Sequence, residues 1–160
     1  MKKSTLVLLT FVPVIVGYII NLTILLPVIG PLFFYVMPIF ATVFWFYLGR
    51  QFAHTAWKTI PAILIGNATG IVSLLLYLWQ FLLKTDETRN LTVAAISQMF
   101  PASAPYYLLA KIAILFEKEP NTIGPTATNA LQVLSFGYMF VVFCVAILWE
   151  KNRIKKASDQ

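Results

Sequence analysis

Four long apolar runs, at about 6–26, 32–48, 60–83 and 130–149, contain no Asp, Glu, Lys or Arg. Each is close to the roughly 20 residues an α-helix needs to cross a hydrocarbon core. A chain built this way has few options. The composition narrows them further: 59% of the 160 residues are hydrophobic and 11% are charged, with a mean hydropathy of +0.80. A soluble domain carries about 25% charged residues. The expected fold class is an all-α integral membrane protein, a single bundle of four transmembrane helices.

The start imitates a secretory signal, with Lys2 and Lys3 ahead of an apolar run. The run continues for about 20 residues and has no small-x-small cleavage pattern near Gly17, so we read it as an uncleaved first span. Pro13 lies inside it, and Thr10, Gly17 and Asn21 fall near one helical face. The second run holds Pro38 and many aromatic residues. Trp45, Tyr47 and Trp57 lie near Arg50 and Lys58 in sequence, as in an interfacial belt at headgroup depth. Residues 50–59 form a polar connection that could continue as a surface helix.

The third run carries one stripe: Ala62, Gly66, Gly70, Ser73, Tyr77 and Gln80 recur at steps of three and four. Gly66 and Gly70 form a GxxxG, which lets backbones approach closely in lipid. Asn67 borders the stripe; an unpaired amide is costly in lipid, so it should bond to another helix. In the last run Ala130, Gly137 and Cys144 repeat every seven residues, a second small-residue seam. Gly17, Gly66, Gly70 and Gly137 are the expected packing positions.

Residues 91–118 are apolar but broken by Pro101 and Pro105 and charged by Lys111. The sequence Pro-Ala-Ser-Ala-Pro separates two short helices, 91–100 and 106–118, each too short to cross alone. The pattern is that of a helical hairpin on, or dipping into, the outer face. Tyr107, Lys111 and Lys118 lie near one face, which favours lying on the surface or capping the bundle over re-entry.

Charge sets the expected orientation. With the amino terminus inside and 91–118 not crossing, eight Lys/Arg face the cytoplasm, at 2, 3, 50, 58, 151, 153, 155 and 156, against Glu150 and Asp159. The outer side holds four Lys/Arg and four acids. The whole net charge of +6 then lies inside, as the positive-inside rule requires. A multi-pass protein of the cell membrane follows, with both termini and a basic tail (150–160) cytoplasmic. The basic balance is explained by anionic headgroups rather than nucleic acid.

The chemistry available is narrow. No carboxylate lies within a span, so intramembrane aspartyl catalysis and carboxylate proton relays lack their groups. His54 has no second His or Cys nearby, and Cys144 is the only cysteine, so no metal site, redox pair or other cofactor is expected. A Ser97 or Ser103 pair with Lys111 is a remote hydrolase possibility. The leading expectation is a non-enzymatic subunit or partner of a membrane complex, with a homo-oligomer or another membrane protein as partner. The alternative is a small permease, channel or holin-like pore whose polar seam runs through Asn21, Asn67, Ser73 and Gln80 to Ser97, Gln98 and Lys111.

Overall fold

The computed structural model describes residues 1–23, 26–105, 109–110 and 124–158. Helix makes up 81% of the described residues, and there is no strand among them. In chain order the helices are α1 (Lys3–Leu9), α2 (Val12–Thr23), α3 (Ile29–Ala53), α4 (Thr59–Gly66), α5 (Ala68–Leu82), α6 (Leu91–Ser97), α7 (Met99–Ala102) and α8 (Pro125–Ser158). Among the described residues, three stretches are long and apolar enough to cross a bilayer: Lys3–Thr23, Gly30–Ala53 and Pro125–Ser158. A fourth is reached if α4 and α5, bent by 55° at Asn67, count as one span.

The longest helix is the least interrupted. Pro125 opens α8, a first-turn position where its missing N–H costs nothing. No proline follows, and the helix runs 34 residues into the basic stretch expected to be a tail. At 1.5 Å per residue that is about 50 Å, well beyond a roughly 30 Å hydrocarbon core. Its partner is α3, which also runs longer than the apolar run suggested and ends at Ala53 with Arg50 in its last turn. Arg50 therefore belongs to α3 and not to a surface helix.

Phe143 of α8 is the hub of the core. Its ring lies 5.3 Å from Trp45 and 5.3 Å from Phe52, centroid to centroid. It also fills the space beside Gly66, where an added Cβ would collide with the ring. Around it sit Leu48, Ala62, Met139 and Ile147. Trp45 is 0% exposed, so it is a core residue and not part of an interfacial belt. It sits mid-helix on the face that meets α8, and hydropathy cannot distinguish that face from the lipid face.

The other half of the bundle is made of broken helices. The first break, at Thr10–Phe11, follows from Pro13, which offers no N–H to the Leu9 carbonyl. The backbone tightens there, with Thr10 N and Phe11 N each donating three residues back at 3.1 Å. The second is at Asn67, where φ is −99° and ψ is 7°. Its side-chain Nδ2 donates to the Ile63 carbonyl at 2.9 Å, beside its own backbone N–H at 3.0 Å. An amide that competes for the helix ladder in this way is a recognised cause of a bend.

The third break, at Gln98, lies upstream of the Pro-Ala-Ser-Ala-Pro expected to divide the segment. Pro101 fits inside the short α7, and its missing N–H frees the carbonyl four residues back, that of Ser97. The segment does not lie over the bundle in its described part. Asn90 caps α6 by accepting from Val93 N at 3.1 Å, α6 packs on α5, and α7 packs on α2. Phe100 is 0% exposed and meets Trp45 edge-on at 5.6 Å. The reason is apolar burial: Phe100, Pro101 and Ala104 gain more inside than on a surface. Of the residues that favoured a surface position, Tyr107, Lys111 and Lys118 all lie outside the described residues.

Candidate functional site

Where helices break inside an apolar bundle, freed carbonyls must find donors. Here hydroxyls supply them. Thr69 Oγ1 donates to the Thr10 carbonyl at 2.9 Å, which joins α5 to the first break. Ser73 Oγ donates to the Ser97 carbonyl at 2.6 Å, the acceptor that Pro101 leaves open. Ser97 Oγ is itself spent on the Ala94 carbonyl at 2.7 Å, and Ser103 Oγ on the Phe100 carbonyl at 2.7 Å. Between these breaks lies a cleft of about 290 Å³, walled by Phe11, Val14, Val72, Leu76 and Ile96, with Thr69, Ser73 and Ser97 at its base.

The residues of the expected seam do not form one line. Asn67, Ser73, Gln80 and Ser97 are buried, whereas Asn21 is exposed on the outside of α2. Spacing put Asn21 in register with Thr10 and Gly17, but the buried face of α2 runs through Pro13, Gly17 and Ile20, and Asn21 lies one residue off it. Gln80 closes the end of α5: its Oε1 accepts from Asn90 N at 2.8 Å, and its carbonyl accepts from Arg89 Nε at 3.1 Å. Gln98 Nε2 donates to the Ala94 carbonyl at 3.2 Å. Lys111 lies outside the described residues.

The four packing glycines also divide. A Cβ on Gly17 would collide with the Met99 carbonyl, and one on Gly70 would come within 2.7 Å of the Phe100 ring. Gly137 has nothing within 4 Å of such a Cβ. Along the seam, Ala130 is exposed and Gly137 and Cys144 are half-buried. The face of α8 that is buried carries Leu131, Ser135, Met139, Phe143 and Ile147 instead. Bulk won over smallness there: Gly66 supplies the recess that the Phe143 ring fills, and Gly49 lets the α8 backbone come close at Phe143 and Ala146. Gly49 was not among the expected packing positions; a Cβ on it would sit 2.8 Å from that of Ala146.

Four buried polar atoms have no hydrogen-bond partner among the described residues: Trp45 Nε1, Asn67 Oδ1, Gln132 Oε1 and Ser135 Oγ. In an apolar interior each such atom is costly. Gln132 and Ser135 were not foreseen; as isolated polar residues in an apolar run, one turn apart, they could have been.

The second cluster lies at the basic end and was also missed. Glu150 is 4% exposed. One carboxylate oxygen takes Arg50 Nε at 2.6 Å, and the other faces His54 Nε2 at 3.2 Å. Arg50 and His54 are four residues apart, one turn of α3, so both reach the same group on α8. Nearby, Lys151 Nζ donates to Thr59 Oγ1 at 2.9 Å, and Lys3 Nζ lies 5.5 Å from the Trp57 ring centre. These contacts gather the start of α1, the α3–α4 connection and the basic part of α8 at one end. At the opposite end Tyr77 donates to Asn129 Oδ1 at 2.8 Å, and Arg89 pairs with Asp86 at 2.8 Å.

Chemically the interior offers braced backbone and a few unpartnered amide, indole and hydroxyl atoms. Among the described residues no three His, Cys, Asp or Glu side chains gather as a metal centre. Compared with protein-family models, with curated proteins and with solved structures, the chain matches none of them.

Proposed function

We propose that the chain is a non-enzymatic membrane bundle of four crossings, with both termini cytoplasmic, that serves as a subunit or partner of a larger membrane assembly. Residues 91–105 enter this bundle from the outer side without crossing it. Two groupings support the topology. Basic residues of α1, α3 and α8 share one end. Asn90 and Asn129, which flank the broken segment, both bond to the last turns of α5 at the other end.

The observation that carries the partner reading is the contrast among the glycines. Gly17, Gly66 and Gly70 are filled from within the chain, whereas Gly137 faces open space in line with Ala130 and Cys144. A small-residue face left open in lipid is what a second transmembrane helix packs against. Disulfide trapping tests it: in native membranes, oxidant should link Cys144 between copies or to a co-purifying partner, and Gly137→Leu should abolish the link. A strictly monomeric protein without a partner, in mild detergent and in lipid, would sink this reading.

A permease reading is favoured by Asn67. Its Oδ1 is buried without a partner at a 55° break, the kind of discontinuity at which transporters bind solutes. Liposome flux abolished by Asn67→Leu would promote it; flux unchanged by that variant would count against it. For a Ser-Lys hydrolase, Ser97 and Ser103 both have their hydroxyls engaged by backbone carbonyls, which weighs against either as nucleophile.

A further inference from the structure

On α8, Trp149, Asn152, Arg153 and Lys156 line a shallow groove of about 370 Å³. Their spacing of three, one and three places them on one helical face. Trp149 is 62% exposed, yet its ring is set edge-on against Phe46 of α3 at 6.0 Å, so the indole is held in place. The groove begins where the apolar part of α8 ends, an aromatic step followed by an amide and two cations.

Charge at this end is nearly all of one sign. Glu150 is the one carboxylate there among the described residues, and its oxygens already face Arg50 at 2.6 Å and His54 at 3.2 Å. Arg153 comes only within 3.8 Å of it and keeps its side chain 65% exposed. Lys156 has no acidic partner among the described residues. The groove thus carries indole, amide, guanidinium and ammonium donors, with Arg153 only loosely paired and Lys156 without an acidic partner among the described residues. A guanidinium beside an ammonium is suited to a phosphate, which the planar fork can hold through two oxygens.

We propose that this groove is a site for the phosphate headgroup of an anionic phospholipid in the cytoplasmic leaflet. The proposal rests on the bilayer placement given above, but not on the existence of a protein partner. Trp149 marks headgroup depth. Arg153 and Lys156 hold the phosphate, and Asn152 supplies a neutral donor between the ring and the cations. The lipid chains descend along the exposed apolar flank of Val145 and Leu148.

The test is lipid retention by the whole chain. Protein reconstituted in nanodiscs of phosphatidylcholine with phosphatidylglycerol is released into mild detergent, and bound lipids are counted by native mass spectrometry. Wild type should retain one phosphatidylglycerol in preference to phosphatidylcholine. The double variant R153Q/K156Q should lower that preference by about tenfold or more, as expected for two cations beside an anionic surface. The control K2Q/K3Q removes equal charge from the same end and should leave the preference within about twofold. Helix content by circular dichroism checks that both variants fold.

Equal losses in both variants would overturn the site in favour of diffuse attraction to the basic end. Displacement of the lipid by millimolar inorganic phosphate would overturn the lipid as occupant. Dimers that carry no lipid, and that dissociate in R153Q/K156Q, would assign the groove to a second copy. A monomer that still retains the lipid keeps this proposal while removing the partner reading.

Discussion

The α3–α8 half and the half built from α1/α2, α4/α5 and α6/α7 solve the same problem in different ways. In lipid, backbone polar groups must be satisfied within the protein. The α3–α8 pair does this by staying helical over its whole length, with one ladder bond forgone at Pro38, and its side chains are free to pack around Phe143. The broken half gives up that self-sufficiency at three places: at Thr10 and at Ser97 a hydroxyl from a neighbouring element donates to the backbone, and at Asn67 the residue's own side-chain amide does so. A break is thus tolerated where a Ser or Thr on an adjacent helix stands beside the freed carbonyl.

The comparison can be broken hardest at Gly17. Gly17→Leu would drive a side chain into the Met99 carbonyl, a backbone atom that cannot rotate away. Thermal unfolding in detergent should show a loss of about 3 kcal/mol, at the upper end of what overpacking costs. Tolerance of leucine there would mean that α7 does not seat against α2. The next effect concerns the continuous half. Glu150→Ala leaves Arg50 and His54 facing each other without their anion, and the unfolding midpoint should fall. Glu150→Gln, which keeps an acceptor for Arg50, should fall less; equal falls would show that packing, not charge, is what Glu150 contributes.

A sharper test lies at the third break. Ser73→Ala should cost about 1 kcal/mol, the usual net value of one such bond. In a Pro101→Ala background the cost should shrink, because residue 101 regains an N–H for the Ser97 carbonyl. A double-mutant cycle measures that coupling; strict additivity would refute the account of why α6 and α7 separate. The smallest effect is expected at Gly137. Gly137→Leu should alter monomer stability by no more than about 0.5 kcal/mol, since a new Cβ there meets nothing.

Much of this architecture could be read from hydropathy alone. The long runs gave three candidate spans and a bent fourth, and the stripe from Ala62 to Gln80 is buried along its whole course. Periodicity failed at the edge of a face. Asn21 lies one residue off the buried line of Pro13, Gly17 and Ile20, so a spacing of four from Gly17 did not bury it. Trp45 was misjudged because aromatic residues suit both a headgroup belt and a core. Gly137 has no neighbour within 4 Å of an added Cβ among the described residues; small residues mark a close approach without saying whose helix approaches. The Glu150 cluster was hidden by sequence distance: Arg50 and Glu150 are 100 residues apart, and one acid at the edge of a span looks like a solvated boundary.

Phe143 arrives late in synthesis. The residues it packs against, Trp45, Phe52 and Gly66, are all made long before α8. A chain synthesised only as far as α7 would have its main recess unfilled, open to acyl chains or to a chaperone of membrane insertion. Docking of the last helix is then the event that expels those occupants and locks the early helices together. Assembly of this bundle should be close to all-or-none with respect to α8.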